Sequence, residues 1–394
     1  MSPAACRIAS ALLLIAVSVS PAAAASANET TGHNQKALDR IRNDQWHLQF
    51  LRIGDAHRIA QGNGVTVAVP DTGVDLHPDL RGNILAGADI IEGGSGDGRQ
   101  DRDSHGTGMA GLIAAHGREQ NSGALGIAPR SKILPIYDIP AGGNGQPDLL
   151  AQSIQFAIEQ NVKVISISSG GASSSRLREA VARALGSNIV IVAAAGNMPI
   201  DSEVTYPASE LGVVSVGGVD RAGNHAEVSV TGPEIDVVAP AVDIYSTSID
   251  GKYRKGTGTS DATAIVAGAV ALIRSKYPYL PAREVVHRLT ATAIDKGPPG
   301  RDDEYGYGVI DIVAALTADV PPLGFGSATA SAPAGGGPST TAAAEPPGDS
   351  LGSDSTATVR GLATLGVIVA AGVTWAVIVR RRRRGDDPPP RISR

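Results

Sequence analysis

Residues 256–278, GTGTSDATAIVAGAVALIRSKYP, decide how the rest of the chain is interpreted. The segment opens with small, turn-forming residues and then repeats apolar side chains at steps of three and four, the period of an α-helix with one buried face. Ser260 lies where this helix should begin, and the first backbone N–H groups of a helix lack partners within it. The serine can therefore cap the helix, or it can be a nucleophile beside N–H groups that stabilise an oxyanion. A base and an orienting acid elsewhere in the chain would favour the second interpretation.

The N-terminal residues 1–25 are predicted to be a secretory signal peptide. They combine an early Arg7, an apolar run and the small-residue series PAAAA. The single cysteine, Cys6, lies inside this segment. We therefore expect an exported chain without disulfides that depends on core burial for its stability. A polar N-terminal extension, residues 26–44, follows.

The C-terminal part is predicted to anchor the protein in a membrane. Residues 361–379, GLATLGVIVAAGVTWAVIV, are uncharged and long enough to cross a bilayer. Five arginines follow at once in the tail 380–394, and positive residues tend to stay on the cytoplasmic side. Residues 317–360 are rich in Pro, Gly, Ala, Ser and Thr without an apolar period, which is typical of a disordered tether. We therefore expect a single-pass protein of the bacterial cell membrane, with an extracytoplasmic domain and a cytoplasmic tail.

The remaining residues, 45–316, are enough for one domain with a substantial core. Short apolar runs, typical of strands covered on both faces, alternate with helix-periodic segments. This order predicts an α/β fold of three layers, with a mainly parallel central sheet between layers of helices. Strands are predicted at 65–69, 133–136, 162–168, 189–194, 213–216 and 234–238. The net charge of -5 and the lack of a basic stripe in this region argue against a nucleic-acid partner.

Four polar residues are expected to meet at one edge of this sheet. In open α/β sheets, sites gather beyond the carboxyl ends of the strands, where Asp71 follows VTVAV and Asn197 follows IVIVAAA. His105, like Ser260, lies at the start of a helix-periodic segment. A histidine can activate a serine near neutral pH, and a carboxylate can fix the tautomer of that histidine. The set predicts acyl-transfer chemistry on Ser260.

Three segments around these residues carry a family resemblance: VAVPDTGVDLHPDL, DSHGTGMAGLIAA and GTGTSDATAIVAG. They resemble the signature blocks of the subtilisin-like serine peptidases (subtilases, family S8), in the family order Asp, His, Ser. The resemblance implies a subtilisin-like fold and a serine endopeptidase that forms an acyl-enzyme. It makes Asp71 the orienting acid, His105 the general base and acid, and Ser260 the nucleophile. It also makes Asn197 the oxyanion donor, although Gly-Asn is in addition a good turn.

A further segment resembles the strand edge on which subtilases bind extended peptides. It consists of Ser168, Ser169 and Gly170. Binding there would use main-chain hydrogen bonds, so specificity would come from side-chain pockets. The expected partner at this edge is a protein or peptide substrate.

The complete order of segments resembles the mycosins, membrane-anchored subtilases associated with type VII secretion in actinobacteria. Residues 44–69 are also similar to the mycosin N-terminal region. The resemblance implies processing of secretion substrates and a type VII secretion complex as a partner. We expect the N-terminal segment to stay attached and to pack on the domain, because it is too short to fold alone. The alternative is a non-catalytic scaffold that keeps the peptidase fold, but an intact set of four site residues argues against it.

Several positions depart from the family pattern. Mycosins generally carry disulfides, which this mature chain should lack. Pro70 stands in a strand and removes one ladder donor immediately before Asp71. Ala264 replaces a usual proline, and Asp261 follows the nucleophile directly. A carboxylate suits a helix N-terminus, but its charge would oppose an adjacent oxyanion.

The other polar residues receive plainer interpretations. His77 lies six residues after Asp71 and is expected to be a structural loop residue. Three acidic residues of a glycine-rich loop could bind calcium through oxygen ligands, but their spacing does not reproduce an EF-hand. These residues are Asp97, Asp101 and Asp103. A flexible acidic loop is the favoured interpretation, so no metal is predicted and the chemistry requires no cofactor.

Overall fold

The computed structural model describes residues 40–91, 94–118 and 122–324. The chain divides into a unit of residues 1–328 and a second unit of residues 329–394. The predicted signal peptide, the predicted span 361–379 and the tail 380–394 lie outside the described residues. Among the helices of the described part, none is long and apolar enough to cross a membrane.

Within the described residues, seven strands form the central sheet, and every neighbouring pair is parallel. Their order across the sheet is β2-β3-β1-β4-β5-β6-β7. The strands are β1 (Thr66–Asp71), β2 (Ala88–Asp89), β3 (Lys132–Tyr137), β4 (Val164–Ile167), β5 (Val190–Ala194), β6 (Val214–Val219) and β7 (Val237–Pro240). The predicted parallel α/β fold is confirmed, and each predicted strand overlaps an observed one.

Helices lie on both sides of this sheet. They are α1 (Trp46–Phe50), α2 (Ile53–His57), α3 (His105–Ala114), α4 (Pro147–Glu159), α5 (Ser175–Gly186), α6 (Thr259–Lys276), α7 (Ala282–Ala291) and α8 (Ile312–Thr317). One core packs α3 and α6 against the sheet, and a second core packs α4 and α5 against it. Alternation along β1 serves both cores, because Val67 and Val69 join the first and Ala68 joins the second.

Pro70, which was predicted to remove one hydrogen-bond donor from the sheet, lies where that donor is not needed. β1 pairs with β3 along its whole length, from Thr66 to Asp71. Its pairing with β4 on the other side covers only Val67 and Ala68. Pro70 therefore lies where the ladder to β4 has already ended, so a missing N–H there removes no bond from that ladder.

Helix α6 runs through the first core and is buried more completely than its sequence predicted. Every residue from Thr259 to Arg274 is buried, not only one face. The helix contacts β4, β5, β6 and β7 on one side and α3, α7 and α8 on others. Small side chains such as Ala262 and Ala269 permit this close approach all round. The expectation of a single buried face was too narrow, since a helix covered on all sides is apolar around its circumference.

The N-terminal residues of the described part pack on the domain as expected. The side-chain amide of Gln45 donates to the carbonyl oxygens of Leu125 and Tyr245, each at 3.1 Å. The indole N–H of Trp46 donates to the carbonyl oxygen of Val242 at 3.1 Å. These contacts join the segment to residues far along the chain.

A two-stranded antiparallel sheet was not predicted from the sequence. Its strands are β8 (Ile244–Thr247) and β9 (Tyr253–Gly256). It packs against α3, where Ser246 Oγ donates to the carbonyl oxygen of Gly108 at 2.7 Å. Polar and charged side chains dominate β9, so it carries no apolar signal that would predict a strand.

Candidate active site

Asp71 and His105 are in direct contact at the carboxyl end of β1. Nδ1 of His105 lies 2.8 Å from Oδ1 and 3.0 Å from Oδ2 of Asp71. Asp71 is fully buried and also accepts a hydrogen bond from the backbone N–H of Thr72 at 2.8 Å. The carboxylate raises the pKa of His105, and burial opposes it. With the Nδ1 proton donated to Asp71, Nε2 is the nitrogen that can accept a proton.

The start of α3 is held by Asp101 rather than by its own N-cap residue, Ser104, whose side chain makes no capping bond. Oδ1 of Asp101 accepts from the backbone N–H groups of Asp103 and Ser104 and from the hydroxyl of Thr72. Oδ2 accepts from the backbone N–H and the hydroxyl of Thr107, at 2.9 and 2.6 Å. Asp101 is buried, so the prediction that it belongs to a flexible acidic loop was wrong. Its carboxylate joins the residue after Asp71 to the helix that carries His105.

Ser260 lies in the first turn of α6, behind the N-cap residue Gly258. Its side chain does not cap the helix. The hydroxyl donates instead to the carbonyl oxygen of Ser168 at 3.0 Å, at the carboxyl end of β4. The serine therefore lies beside the segment proposed to bind substrate, and in this conformation its hydrogen bond goes to that segment rather than to His105.

Asn197 contacts the same helix start. Its Oδ1 accepts from the backbone N–H of Thr259 at 2.9 Å and from the Thr259 hydroxyl at 3.2 Å. These bonds identify the oxygen of the amide and leave Nδ2 as the donor end. The backbone N–H of Asn197 donates to Asp201 Oδ2 at 2.7 Å, which fixes the loop. Asn197 thus contacts the first turn of α6 at Thr259, the residue before Ser260.

A cleft of about 540 Å³ lies at the Asp71 and His105 side of the site, and its lining includes neither Ser260 nor Asn197. Its lining includes Asp71, His105, Ser169, Gly170 and Asp201. The structure therefore brings Ser169 and Gly170, two of the three residues predicted to bind substrate, into one cleft with Asp71 and His105.

Comparison with known proteins decides the family. The model of the Subtilase family (Peptidase_S8) matches residues 62–308. The chain belongs to the subtilase family. A thermostable alkaline protease of Halalkalibacterium halodurans is 40% identical over 267 residues, which cover 67% of this chain and 71% of that protein. The chain is thus a subtilisin-like serine endopeptidase by family.

Solved structures place this subtilase near secretion-associated relatives. MycP1 from Mycobacterium smegmatis has a TM-score of 0.63 and 30% identity, and the match covers 70% of this chain and 85% of that one. MycP3 protease from the type VII (ESX-3) secretion system has a TM-score of 0.60 and 33% identity, covering 70% and 88%. The predicted relation to the mycosins is confirmed.

The subtilase has a second buried acid next to Asp71. Asp138 follows β3, and its backbone N–H donates to the carbonyl oxygen of Asp71 at 3.0 Å. Ser153 Oγ donates to Asp138 Oδ2 at 2.6 Å. Burial raises the pKa of Asp138 to about 8, so the carboxyl is protonated at neutral pH. No motif marks this residue in the sequence.

His77, as expected, is a structural residue. Its Nδ1 accepts from the backbone N–H of Asp79 at 3.0 Å, and its Nε2 lies 3.0 Å from the carbonyl oxygen of Lys252. Within the described residues, no cluster of three or more His, Cys, Asp or Glu side chains could hold a metal ion.

Proposed function

We propose that this subtilase hydrolyses peptide bonds with Asp71, His105 and Ser260 as its catalytic triad. The observation that carries the proposal is the two-oxygen contact of the Asp71 carboxylate with Nδ1 of His105. Ser260 supports it from a helix start, where its hydroxyl reaches the Ser168 carbonyl oxygen. In the attack, Ser260 Oγ forms a bond to the substrate carbonyl carbon, and its proton passes to Nε2 of His105. The imidazolium then returns the proton to the leaving amine, and water hydrolyses the acyl-enzyme by the same steps.

The oxyanion would be stabilised by two donors at the start of α6. One is Nδ2 of Asn197, which the bonds of Oδ1 to Thr259 leave available. The other is the backbone N–H of Ser260, which has no acceptor within the first turn. Donors fixed in this way need no rearrangement as charge develops, and one such donor is worth about 2.7–4 kcal/mol of transition-state stabilisation.

The substrate would bind as an extended strand along Ser168, Ser169 and Gly170. This binding also gives a role to the hydrogen bond between Ser260 Oγ and the Ser168 carbonyl oxygen. We propose that the hydroxyl exchanges this acceptor for Nε2 of His105 when substrate occupies the cleft, because catalytic hydrogen bonds often tighten only in the complex.

The triad is tested by replacing Ser260 with Ala. Hydrolysis of a mixed peptide library should fall about 10⁶-fold, as expected when the nucleophile of such a triad is removed. The melting temperature should stay near that of the wild type, because the lost hydroxyl makes a single hydrogen bond to a backbone carbonyl. A Ser260→Ala protein that retains at least one hundredth of wild-type hydrolysis would contradict the proposal. Ser275→Ala, on the same helix, also removes a hydroxyl that donates to a backbone carbonyl oxygen, that of Asn63; it is the matched control and should remain active.

We also propose that the protein is anchored by residues 361–379 and acts outside the cytoplasm on substrates of a type VII secretion complex. The proposal is supported by the sequence patterns of residues 1–25 and 361–384 and by the similarity to MycP1 and MycP3. Proposed with it are a peptidase domain at 45–316, a tether at 317–360 and catalysis that needs no cofactor. Deletion of residues 361–394 should move the protein from the membrane fraction to the medium. Retention of the shortened protein in the membrane would contradict the anchor.

The scaffold function can be separated from catalysis in the same cells. A strain that carries Ser260→Ala should lose cleavage of the secretion substrates. Normal secretion in that strain, together with loss of secretion when the whole chain is deleted, would show that the protein acts as a scaffold.

A further inference from the structure

Asp261 lies next to the proposed nucleophile and has no role in the proposed mechanism. It follows Ser260 directly and is 2% exposed. Within the described residues, its Oδ1 has no hydrogen-bond partner. An isolated carboxylate in this position would place a negative charge beside the developing oxyanion. Because buried charges are normally paired, its surroundings should contain a compensating group.

That group is Arg254, on strand β9. Its Nη1 lies 3.7 Å from Asp261 Oδ1, and neither of these two atoms makes a hydrogen bond within the described part of the chain. The guanidinium is mostly buried, with 21% of the side chain exposed. The interaction is therefore one of charge at close range rather than a directed hydrogen bond, and burial makes such a charge interaction stronger than at a surface.

Two glycines create the space for this pair. A Cβ atom on Gly108, three residues after His105, would lie 2.6 Å from Nη1 of Arg254. A Cβ atom on Gly256 would lie 2.5 Å from Oδ2 of Asp261. Any larger residue at either position would collide with one member of the pair. The pair thus occupies a fitted space between α3, β9 and the first turn of α6.

Three charged groups act on His105 from the elements around it. Asp71 on β1 raises the pKa of His105 most strongly, Arg254 on β9 lowers it, and Asp261 on α6 raises it. Asp261 is itself affected by burial, which raises its pKa to about 6, while Arg254 and His105 oppose that rise. Above this pH the Asp261 carboxylate is ionised, and its charge is balanced by Arg254.

We propose that Arg254 is a positioning residue whose guanidinium neutralises the Asp261 carboxylate directly behind the nucleophile. The oxyanion formed beside Ser260 then has no net negative charge next to it. The opposite effects of Arg254 and Asp261 on the pKa of the base His105 act together. The proposal rests on the proposed peptidase function. It explains how a carboxylate is tolerated next to the nucleophile. It also assigns a role to β9, which no catalytic motif contains.

The pH dependence of peptide hydrolysis by the full chain tests the pair. Arg254→Gln leaves Asp261 unbalanced, so kcat at pH 8 should fall about tenfold, the effect of one pKa unit of charge interaction. Asp261→Asn leaves only the positive charge, so the acid limb of kcat/KM should move to lower pH by about 0.5–1 unit. The double variant Arg254→Gln/Asp261→Asn removes both charges and should restore kcat to within about threefold of wild type, since a neutral pair needs no balance.

Two controls separate charge balance from simple packing. Arg254→Lys keeps the charge and should retain most of the wild-type kcat. Lys255→Gln breaks the exposed ion pair, 2.8 Å long, between Lys255 on β9 and Asp243, which directly precedes β8. This variant should leave the pH profile unchanged. A purely structural pair would lower the melting temperature of the single variants without moving the pH profile.

The outcomes are distinct. An Arg254→Gln enzyme within twofold of the wild-type kcat at pH 8, or a double variant that recovers its melting temperature but not its kcat, would overturn the proposal. If Arg254→Gln does not fold, an unshifted acid limb in Asp261→Asn overturns it instead. Failure of the peptidase function would show differently, because the wild type itself would then hydrolyse no peptide.

Discussion

Buried carboxylates occur in two different settings around this active site. At the end of β1 and before the start of α3, Asp71 and Asp101 have hydrogen-bond donors on both of their oxygens. At the start of α6 and the end of β3, Asp261 and Asp138 each have one oxygen without a hydrogen-bond partner in the described residues. Burial raises the pKa of these two acids, to about 6 and about 8. Burial alone therefore does not decide the role of an aspartate. A buried carboxylate with hydrogen-bond donors on both oxygens holds other groups in place. A buried carboxylate that lacks such donors has a pKa that depends on burial and on nearby charges.

Among the carboxylates with donors on both oxygens, replacing Asp71 with Asn should have the largest effect on catalysis. The amide keeps the shape but cannot favour the proton on Nδ1 of His105, so kcat should fall about 10⁴-fold. The lost carboxylate is also the largest cause of the raised pKa of His105. Since the base must be neutral to act, the acid limb of kcat/KM should lie above the ordinary pKa of a histidine in the wild type and should move to lower pH in this variant. A pH–rate profile of both proteins checks this, and an unmoved limb would contradict it.

Replacing Asp101 with Ala should destabilise the start of α3. Five donors at the start of α3 and on Thr72 would lose their acceptor, which should lower the free energy of unfolding by about 2–4 kcal/mol. The activity should also decrease, because His105 is the first residue of this helix. Urea denaturation measures the first effect. Asp103→Ala, two residues away and exposed, is the matched control and should stay within about 0.5 kcal/mol of wild type.

Replacing Asp138 with Asn should stabilise the protein at alkaline pH, whereas replacing Asp101 with Ala should destabilise it. In the unfolded chain this acid ionises near its ordinary pKa of 3.8, whereas in the fold it holds its proton to about pH 8. The folded state therefore binds more protons in this window, and its stability falls as the pH rises from about 4 to 8. Asn removes this loss. The variant should melt about 2–4 °C higher than wild type at pH 9 and nearly equally at pH 4.

A thermal scan at the two pH values decides the Asp138 prediction. Ser153→Ala, which removes the contact to Asp138 Oδ2 without removing the titrating group, is the control and should melt lower at both pH values. An Asp138→Asn protein that melts lower than wild type at pH 9 would show that this acid is a partnered structural group like Asp101.

The sequence was sufficient to predict the elements that follow an apolar period and the site residues that lie in a recognisable motif. Apolar runs located the strands of the main sheet in the described residues except β2, Ala88–Asp89, which is only two residues long. The position of Asp71 after VTVAV placed it at the sheet edge where His105 meets it. The role of Asp101 was missed because a carboxylate in a glycine-rich loop has the same sequence signature whether it faces solvent or caps a helix. Arg254 was missed because a short strand with charged side chains has no apolar period. Contacts between residues distant in sequence decide both cases.

The proposed chemistry depends most on Ser260 being a nucleophile that His105 and Asp71 activate. Incubation of the full-length protein with a fluorophosphonate, followed by intact-mass measurement and peptide mapping, tests this directly. One adduct per chain, located on Ser260 and formed faster as the pH rises through the pKa of His105, is the predicted result. No adduct, or an adduct on another residue that persists in Ser260→Ala, would contradict it.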